Sequence, residues 1–268
     1  MFTLTFAVAL GACTSGGGDD LPSPGAATAA GGADSSLVDV QEAGVLVVGT
    51  EGTYRPFSYH EDGSGELTGY DVEVIRAVAA QIGVDVRFEE TQWDAIFAGL
   101  EAGRFDVIAN QVTITPEREE AYTFSEPYTY SSGVIVVRAD DDSISSFTDL
   151  AGRTTAQSLT SNWYALAEEN GATIEAVEGW AQAVALVEQG RVDATVNDEL
   201  TFLDYRKQTG ADGIRVAART DEQSRSAFAF RSGSLALAEA VNAALATLAA
   251  DGTLAEISAE FFGEDVSK

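Results

Sequence analysis

Nine residues, Asn110 to Arg118 (NQVTITPER), hold two side-chain amides, two threonine hydroxyls and one guanidinium. Arg118 offers a planar fork of donors that fits a carboxylate bidentately, and Asn110, Gln111 and Thr113 set neutral donors and acceptors beside it. Further on, Thr160-Ser161-Asn162 stands where a helix begins, and the first N–H groups of a helix are free to donate to an anion. Asp198 brings the opposite charge, suited to an ammonium. A carboxylate site and an ammonium site together describe an α-amino acid, and Tyr54, Phe57 and Trp93 supply ring faces to wall such a pocket. Plainer roles compete. Arg118 can be a solvated helix-start arginine, Asp198 can cap the helix that opens at Leu200, and Phe57 and Trp93 can belong to the core.

Catalysis has less to work with. The lone histidine, His60, lies in a polar Gly/Asp/Ser loop, and the lone cysteine is Cys13. This leaves no triad, no His-based or Cys-based metal site and no disulfide, and no glycine pattern for a nucleotide occurs. The expectation is a binding protein rather than an enzyme, with no cofactor and no metal. Fifteen Lys+Arg against 43 Asp+Glu give a formal charge of −28, which repels nucleic acid and anionic lipid. The acidity is mainly a property of the solvated surface.

These groups must be positioned by elements. With 268 residues and 45% hydrophobic content the chain suits two lobes with real cores. Val45-Leu-Val-Val is a continuous apolar run, as expected of a strand buried on both faces, and it feeds the loop that carries Tyr54 and Phe57. Asp71 to Ile82 is amphipathic, with Ile75, Val78, Ala79 and Ile82 at helical spacing and Gly83 as its stop. Alternation at Val84, Val86 and Phe88 marks a strand, Trp93 opens a helix, and Phe105 starts the strand that delivers Asn110. Thr115 and Pro116 then mark a helix start, as cap and first helical residue. The run Val134 to Arg138 extends the β-α-β-α order as a further strand of a doubly wound lobe.

An internal repeat follows. Gln92–Asn110 and Gly179–Asn197 align without gaps and share Trp93/Trp180, Gly103/Gly190, Arg104/Arg191, Asp106/Asp193 and Asn110/Asn197. One unit used twice implies two similar lobes. The fold expected is α/β: lobe 1 from 44–138 plus 224–268, lobe 2 from 139–223, each a doubly wound sheet with flanking helices. Two crossings, near 138 and near 224, would form a two-strand hinge around a cleft that can close on a small ligand.

The N-terminus reads as an address. An apolar run too short to span a bilayer ends in Leu10-Gly-Ala-Cys13, which is similar to the lipobox of bacterial lipoproteins, so residues 1–13 are expected to be a signal peptide with Cys13 as the lipidated residue. Residues 14–42, rich in Gly, Ser, Ala, Asp and Pro, read as a flexible tether with a reach on the order of 30 Å. Such a chain would sit outside the cytoplasm, anchored to the cell membrane.

Two motifs carry a family resemblance. GYDVEVIRAVA from Gly69 is similar to the signature helix of the solute-binding proteins of amino-acid ABC importers, the bacterial extracellular family 3, and TITPER (113–118) resembles that family's Thr-x-x-x-x-Arg ligand motif. The resemblance covers about 44 to 264 and implies the type II two-lobe periplasmic-binding fold. It also implies that Arg118 holds the ligand α-carboxylate with the Thr160–Asn162 turn, that Asp198 holds the α-ammonium, that Thr113 and the backbone near Asn110 and Gln111 complete the site, and that Tyr54 and Trp93 flank the ligand. GTEGTYRPFSY, TQWDAIFAGL and FDVIANQVTIT look most like cystine-binding members. The partners implied are an amino acid, cystine or another polar one, and a membrane permease, with the protein a monomer. The same fold also serves prephenate-type dehydratases and sensory modules, which stand as alternatives.

Overall fold

The computed structural model describes residues 34–268, which form one compact unit. Cys13, the signal peptide and most of the tether lie outside the described residues. The tether's last stretch does not: α1 (Ser36–Ala43) is a helix, because Leu37 and Val40, three residues apart, give it one apolar side that packs on the core.

The first half is built from β1 (Val45–Thr50), a small antiparallel sheet of β2 (Thr53–Tyr54), β3 (Ser58–His60) and β4 (Leu67–Thr68), then α2 (Tyr70–Ile82), β5 (Asp85–Glu90), α3 (Trp93–Glu101), β6 (Val107–Thr113), α4 (Pro116–Ala121) and β7 (Tyr122–Phe124). β8 (Thr129–Arg138) leads out of it. The second half comprises β9 (Thr154–Gln157), α5 (Asn162–Glu169), β10 (Thr173–Ala176), α6 (Trp180–Glu188), β11 (Ala194–Asp198) and α7 (Glu199–Thr209). The long β12 (Ile214–Arg231) returns, and α8 (Leu235–Asp251) and α9 (Thr253–Phe262) close the chain over the first half.

The strands join in the order β10-β9-β11-β8-β12-β6-β1-β5, with parallel neighbours in each half and antiparallel β8 and β12 between them. Helices cover both faces, which is why the central strands are apolar without alternation. In the first half, Leu46, Ile75, Val107 and Phe228 pack under α2, α8 and α9, while Ile96, Phe105 and Ile108 form the opposite layer under α3. In the second, Val134, Val136, Val187 and Phe202 form one layer and Ile135, Val137, Leu150 and Ala194 the other. Val134–Arg138 therefore belongs to the second half, not to lobe 1 as its place in sequence suggests. Its four apolar residues are needed on both faces there, and it pairs with β11 from Gly133 onward. The passage between halves is earlier, where Tyr130, Ser131 and Ser132 pair with Arg225, Ser224 and Gln223. Among the described residues no single helix is long and apolar enough to cross a membrane.

Candidate functional site

A cavity of about 490 Å³ lies between the halves, at the carboxyl ends of β1, β6, β9 and β11, where ligands of open α/β sheets bind. The first half lines it with Glu51, Tyr54, Trp93, Asn110 and Gln111, the second with Gln157, Ser161, Asn162, Glu178, Trp180 and Asn197.

β1 ends at Thr50, so Glu51 is delivered to the strand mouth. Asn110, at the same level of β6, locks it: Asn110 Oδ1 accepts from Glu51 N (2.9 Å), and Asn110 Nδ2 donates to Glu51 Oε2 (2.6 Å). Burial, with Asp94 and Glu178 nearby, pushes the Glu51 pKa up to about 7 despite the Asn110 bond. Trp93 meets Phe97 edge-on at 5.5 Å and forms part of both the α3-side core and the cavity wall, so the two roles weighed for it coexist. Tyr54 spans the cleft, donating to Asn197 Oδ1 (2.9 Å) and accepting from Thr201 Oγ1 (3.2 Å). Ser161 caps α5 by accepting from Tyr164 N (3.0 Å), which leaves the first N–H groups of that helix at the cavity edge.

Six residues singled out from sequence thus share the cavity wall: Tyr54, Trp93, Asn110, Gln111, Ser161 and Asn162. Five others do not. Phe57 is fully buried between Tyr54 and Phe262, plugging the core. Thr113 is buried on β6, where its carbonyl accepts from Arg118 Nη1 (2.9 Å). Arg118 sits at the rim, with its Nη2 donating across the cleft to Thr160 O (3.1 Å) and its guanidinium near the Trp93 and Phe97 rings at 5.4 and 5.2 Å. Burial pushes its pKa down to about 10. Thr160 completes this latch, donating through N (3.0 Å) and Oγ1 (2.8 Å) to Asp94 Oδ1.

Asp198 is placed as a helix cap. Its Oδ1 accepts from Ser131 Oγ (2.7 Å) and Leu200 N (2.8 Å), the side chain is 4% exposed, and it lies off the cavity wall. The cap of α7 takes the carboxylate because the helix start needs an acceptor there, and burial pushes its pKa up to about 6. His60 is part of the small sheet, with its two ring nitrogens beside Gly65 O (2.8 Å) and Glu90 (3.0 Å).

Sequence reasoning passed over Glu51, Gln157, Glu178, Trp180 and Asn197. Two signals were available. Glu51 stands in the loop already marked by Tyr54, and Trp180 and Asn197 are the repeat partners of Trp93 and Asn110. Among the described residues that line the cavity, the only charged ones are the carboxylates Glu51, Glu90 and Glu178. The wall therefore favours a ligand with at least one positive group, with amides, hydroxyls, helix N–H groups and the Arg118 rim to meet a carboxylate.

Comparison with known proteins agrees with this architecture. The chain is 48% identical over 269 residues to the L-cystine-binding protein TcyA of Bacillus subtilis (strain 168), covering 100% of this chain and 97% of that protein. The L-cystine solute receptor of Neisseria gonorrhoeae, in an unliganded open conformation, is 47% identical over 87% of this chain and 98% of its own, yet superposes with a TM-score of only 0.58. A substrate-binding protein of an ABC uptake transporter from Streptococcus pneumoniae with bound histidine is 26% identical, covers 88% and 99%, and superposes at 0.81. The less similar sequence superposes better, so the halves here are set differently from those of the unliganded open receptor, in keeping with the bonds that cross the cleft. The sequence model of one family matches residues 46–264, and this chain belongs to it: the bacterial extracellular solute-binding proteins, family 3.

Proposed function

We propose that this protein is the substrate-binding component of an ABC importer for polar amino acids, with L-cystine as its ligand. It closes its two halves around the zwitterion and presents the closed form to a membrane permease. The observation that supports the reading is the cavity between the halves, with a carboxylate, Glu51, fixed on one wall and a helix start at Ser161 and Asn162 on the other, latched by Arg118 at the rim. The ligand ammonium belongs with Glu51 and the neighbouring amides, and its carboxylate with the α5 N–H groups and Arg118. Identity to two cystine-binding proteins across nearly their whole lengths supports the choice of ligand.

Calorimetry with L-cystine and the common amino acids tests this. Tight, selective binding of L-cystine is expected, and Arg118→Ala should weaken it by roughly 2–5 kcal/mol, because a desolvated carboxylate loses its charged partner. Unaltered affinity in that variant removes Arg118 from the site, and turnover of a prephenate-like cyclic acid would overturn the binding-only assignment. The protein acts as a monomer held outside the cell membrane by lipid on Cys13, so Cys13→Ala should release it into the soluble fraction.

A further inference from the structure

The register of the sheet gives the cavity a long axis. β1 pairs Gly49 with Ile108 of β6 and Thr50 with Glu90 of β5, so a little further on Asn110, Glu51 and Thr91 stand in one row across three strands. In the second half Thr155 of β9 pairs with Ala194 of β11, and Gln157 with Ala176 of β10, which sets Asn197, Ser158 and Val177 in a matching row. All six residues line the cavity. Neighbouring strands lie roughly 4.8 Å apart, so each row is roughly 10 Å long. Its inner end, beside β12 and β8, carries the amides Asn110 and Asn197, and its outer end adds carboxylates, Glu90 from one half and Glu178 from the other.

Aromatic rings stand against these rows. The sequence has three tryptophans, Trp93, Trp163 and Trp180, and all three line this cavity. Trp93 and Trp180 are the first residues of α3 and α6, and Trp163 is the second of α5. The protein holds each of them from behind. Trp93 meets Phe97 edge-on at 5.5 Å, and Trp180 meets Tyr205 edge-on at 5.8 Å. A Cβ at Gly133 would collide with the Trp163 ring, so the strand keeps a notch for it. The Nε1 atoms of Trp93 and Trp180 are buried, without a partner among the described residues, so what these two side chains can offer the cavity is ring carbon.

Polar groups at both ends and ring carbon on the walls suit a ligand with a polar head at each end and an apolar, polarisable link. A disulfide is such a link. It keeps the α-carbons of its two halves roughly 4–7 Å apart, short enough for both heads to lie within the row. Divalent sulfur also gains from contact with an aromatic ring, by roughly 2- to 10-fold in affinity per contact.

We infer that Trp93, Trp163 and Trp180 are specificity-determining residues: they seat the disulfide of L-cystine and so select it over an amino acid of the same length and charge whose link is carbon. The inference rests on the proposed binding of L-cystine and adds the feature of that ligand which the walls read.

Calorimetry on the full chain is the test, with L-cystine and with L,L-diaminosuberic acid, which keeps both heads and has two methylenes in place of the sulfurs. L-cystine is expected to bind roughly 10-fold tighter. Equal affinities, or tighter binding of the carbon analogue, overturn the inference. A disulfide also bends its link to about 90°, where a carbon chain prefers to extend, and that bend alone would favour L-cystine. Variants separate the two causes. In Trp180→Leu and Trp163→Leu the preference should fall to within about 3-fold, because the sulfurs lose ring contacts. A preference that stays whole in both variants overturns the role of the rings.

Indole emission supplies a readout that needs no variant. Disulfides quench excited indole on contact, and every tryptophan of the chain stands at this cavity, so saturating L-cystine should quench the intrinsic emission more than saturating diaminosuberic acid does. Equal emission from the two complexes overturns the contact. A wild type that binds neither compound strikes the proposed ligand and this inference with it, whereas one that binds both alike leaves amino-acid binding standing and removes only the aromatic selection.

Discussion

The two copies of the internal repeat, residues 92–110 and 179–197, solve the same problem in the same way until their last residue. In each, a tryptophan opens a helix on the cavity wall and a glycine breaks it in the left-handed region, Gly103 at φ +70° and Gly190 at φ +67°. In each, an aspartate then bridges to the neighbouring strand, Asp106 Oδ2 accepting from Val47 N (3.0 Å) and Asp193 Oδ2 from Thr154 N (2.8 Å). Both end in an asparagine that lines the cavity. There they diverge. Asn110 is followed by Gln111, bulged and held by Asp71, whereas Asn197 is followed by Asp198, which caps a helix. The shared part is scaffold, and the residue after it decides what the wall presents.

Three measurements break or sharpen that comparison. The largest effect is expected at the asparagines. Asn110→Ala strips partners from both the backbone N–H and the carboxylate of Glu51 and should lower the unfolding free energy by roughly 2–4 kcal/mol in urea titrations. Asn197→Ala loses the Tyr54 hydroxyl and a bond to Asp198 N and should cost only about 1 kcal/mol. Equal losses would mean that the cavity ends are not specialised.

Glu51 comes next. Its folded-state pKa is raised from 4.5 to about 7, so between those values the folded form binds more proton than the unfolded chain. Its contribution therefore turns unfavourable as pH rises through that window and is level above it. Glu51→Gln should remove this dependence, and its stability relative to wild type should improve by about 2–3 kcal/mol between pH 5 and pH 8. A constant difference across that range would show that Glu51 titrates normally. The smallest contrast is expected at the scaffold itself. Asp106→Ala and Asp193→Ala each orphan one strand N–H and should each cost about 1–2 kcal/mol, equal within roughly 0.5 kcal/mol. A clear inequality would deny that the copies do the same work.

Most helices and strands could be read from the chain because their causes are local. The spacing of Ile75, Val78, Ala79 and Ile82 with Gly83 behind them specifies α2 to within one residue, and Thr115 accepts from Arg118 N as a cap should. The misreadings have a common origin. Leu37 and Val40 form a helix only because α8 offers them a surface, and Val134–Arg138 could be assigned to either half until its two packed faces were known. The site was legible to the extent that strand ends are: Asn110, Gln111, Ser161 and Asn162 follow from their elements. Asp198 was ambiguous, since a carboxylate before a helix can serve a ligand or the helix, and the fold shows its Oδ1 bonded to Leu200 N.

What the sequence determined alone is therefore the inventory: an α/β chain with a duplicated unit and polar groups gathered at strand mouths. Which way those groups face was decided only by the tertiary structure. Asp71 and Gln111 lie 40 positions apart, as do the ends of many contacts in a sheet of crossed connections, and each bonds to a partner that no local pattern names. Local physics sets the elements because its interactions span a few residues. The direction of a side chain in a cleft is set by whatever the fold brings up behind it.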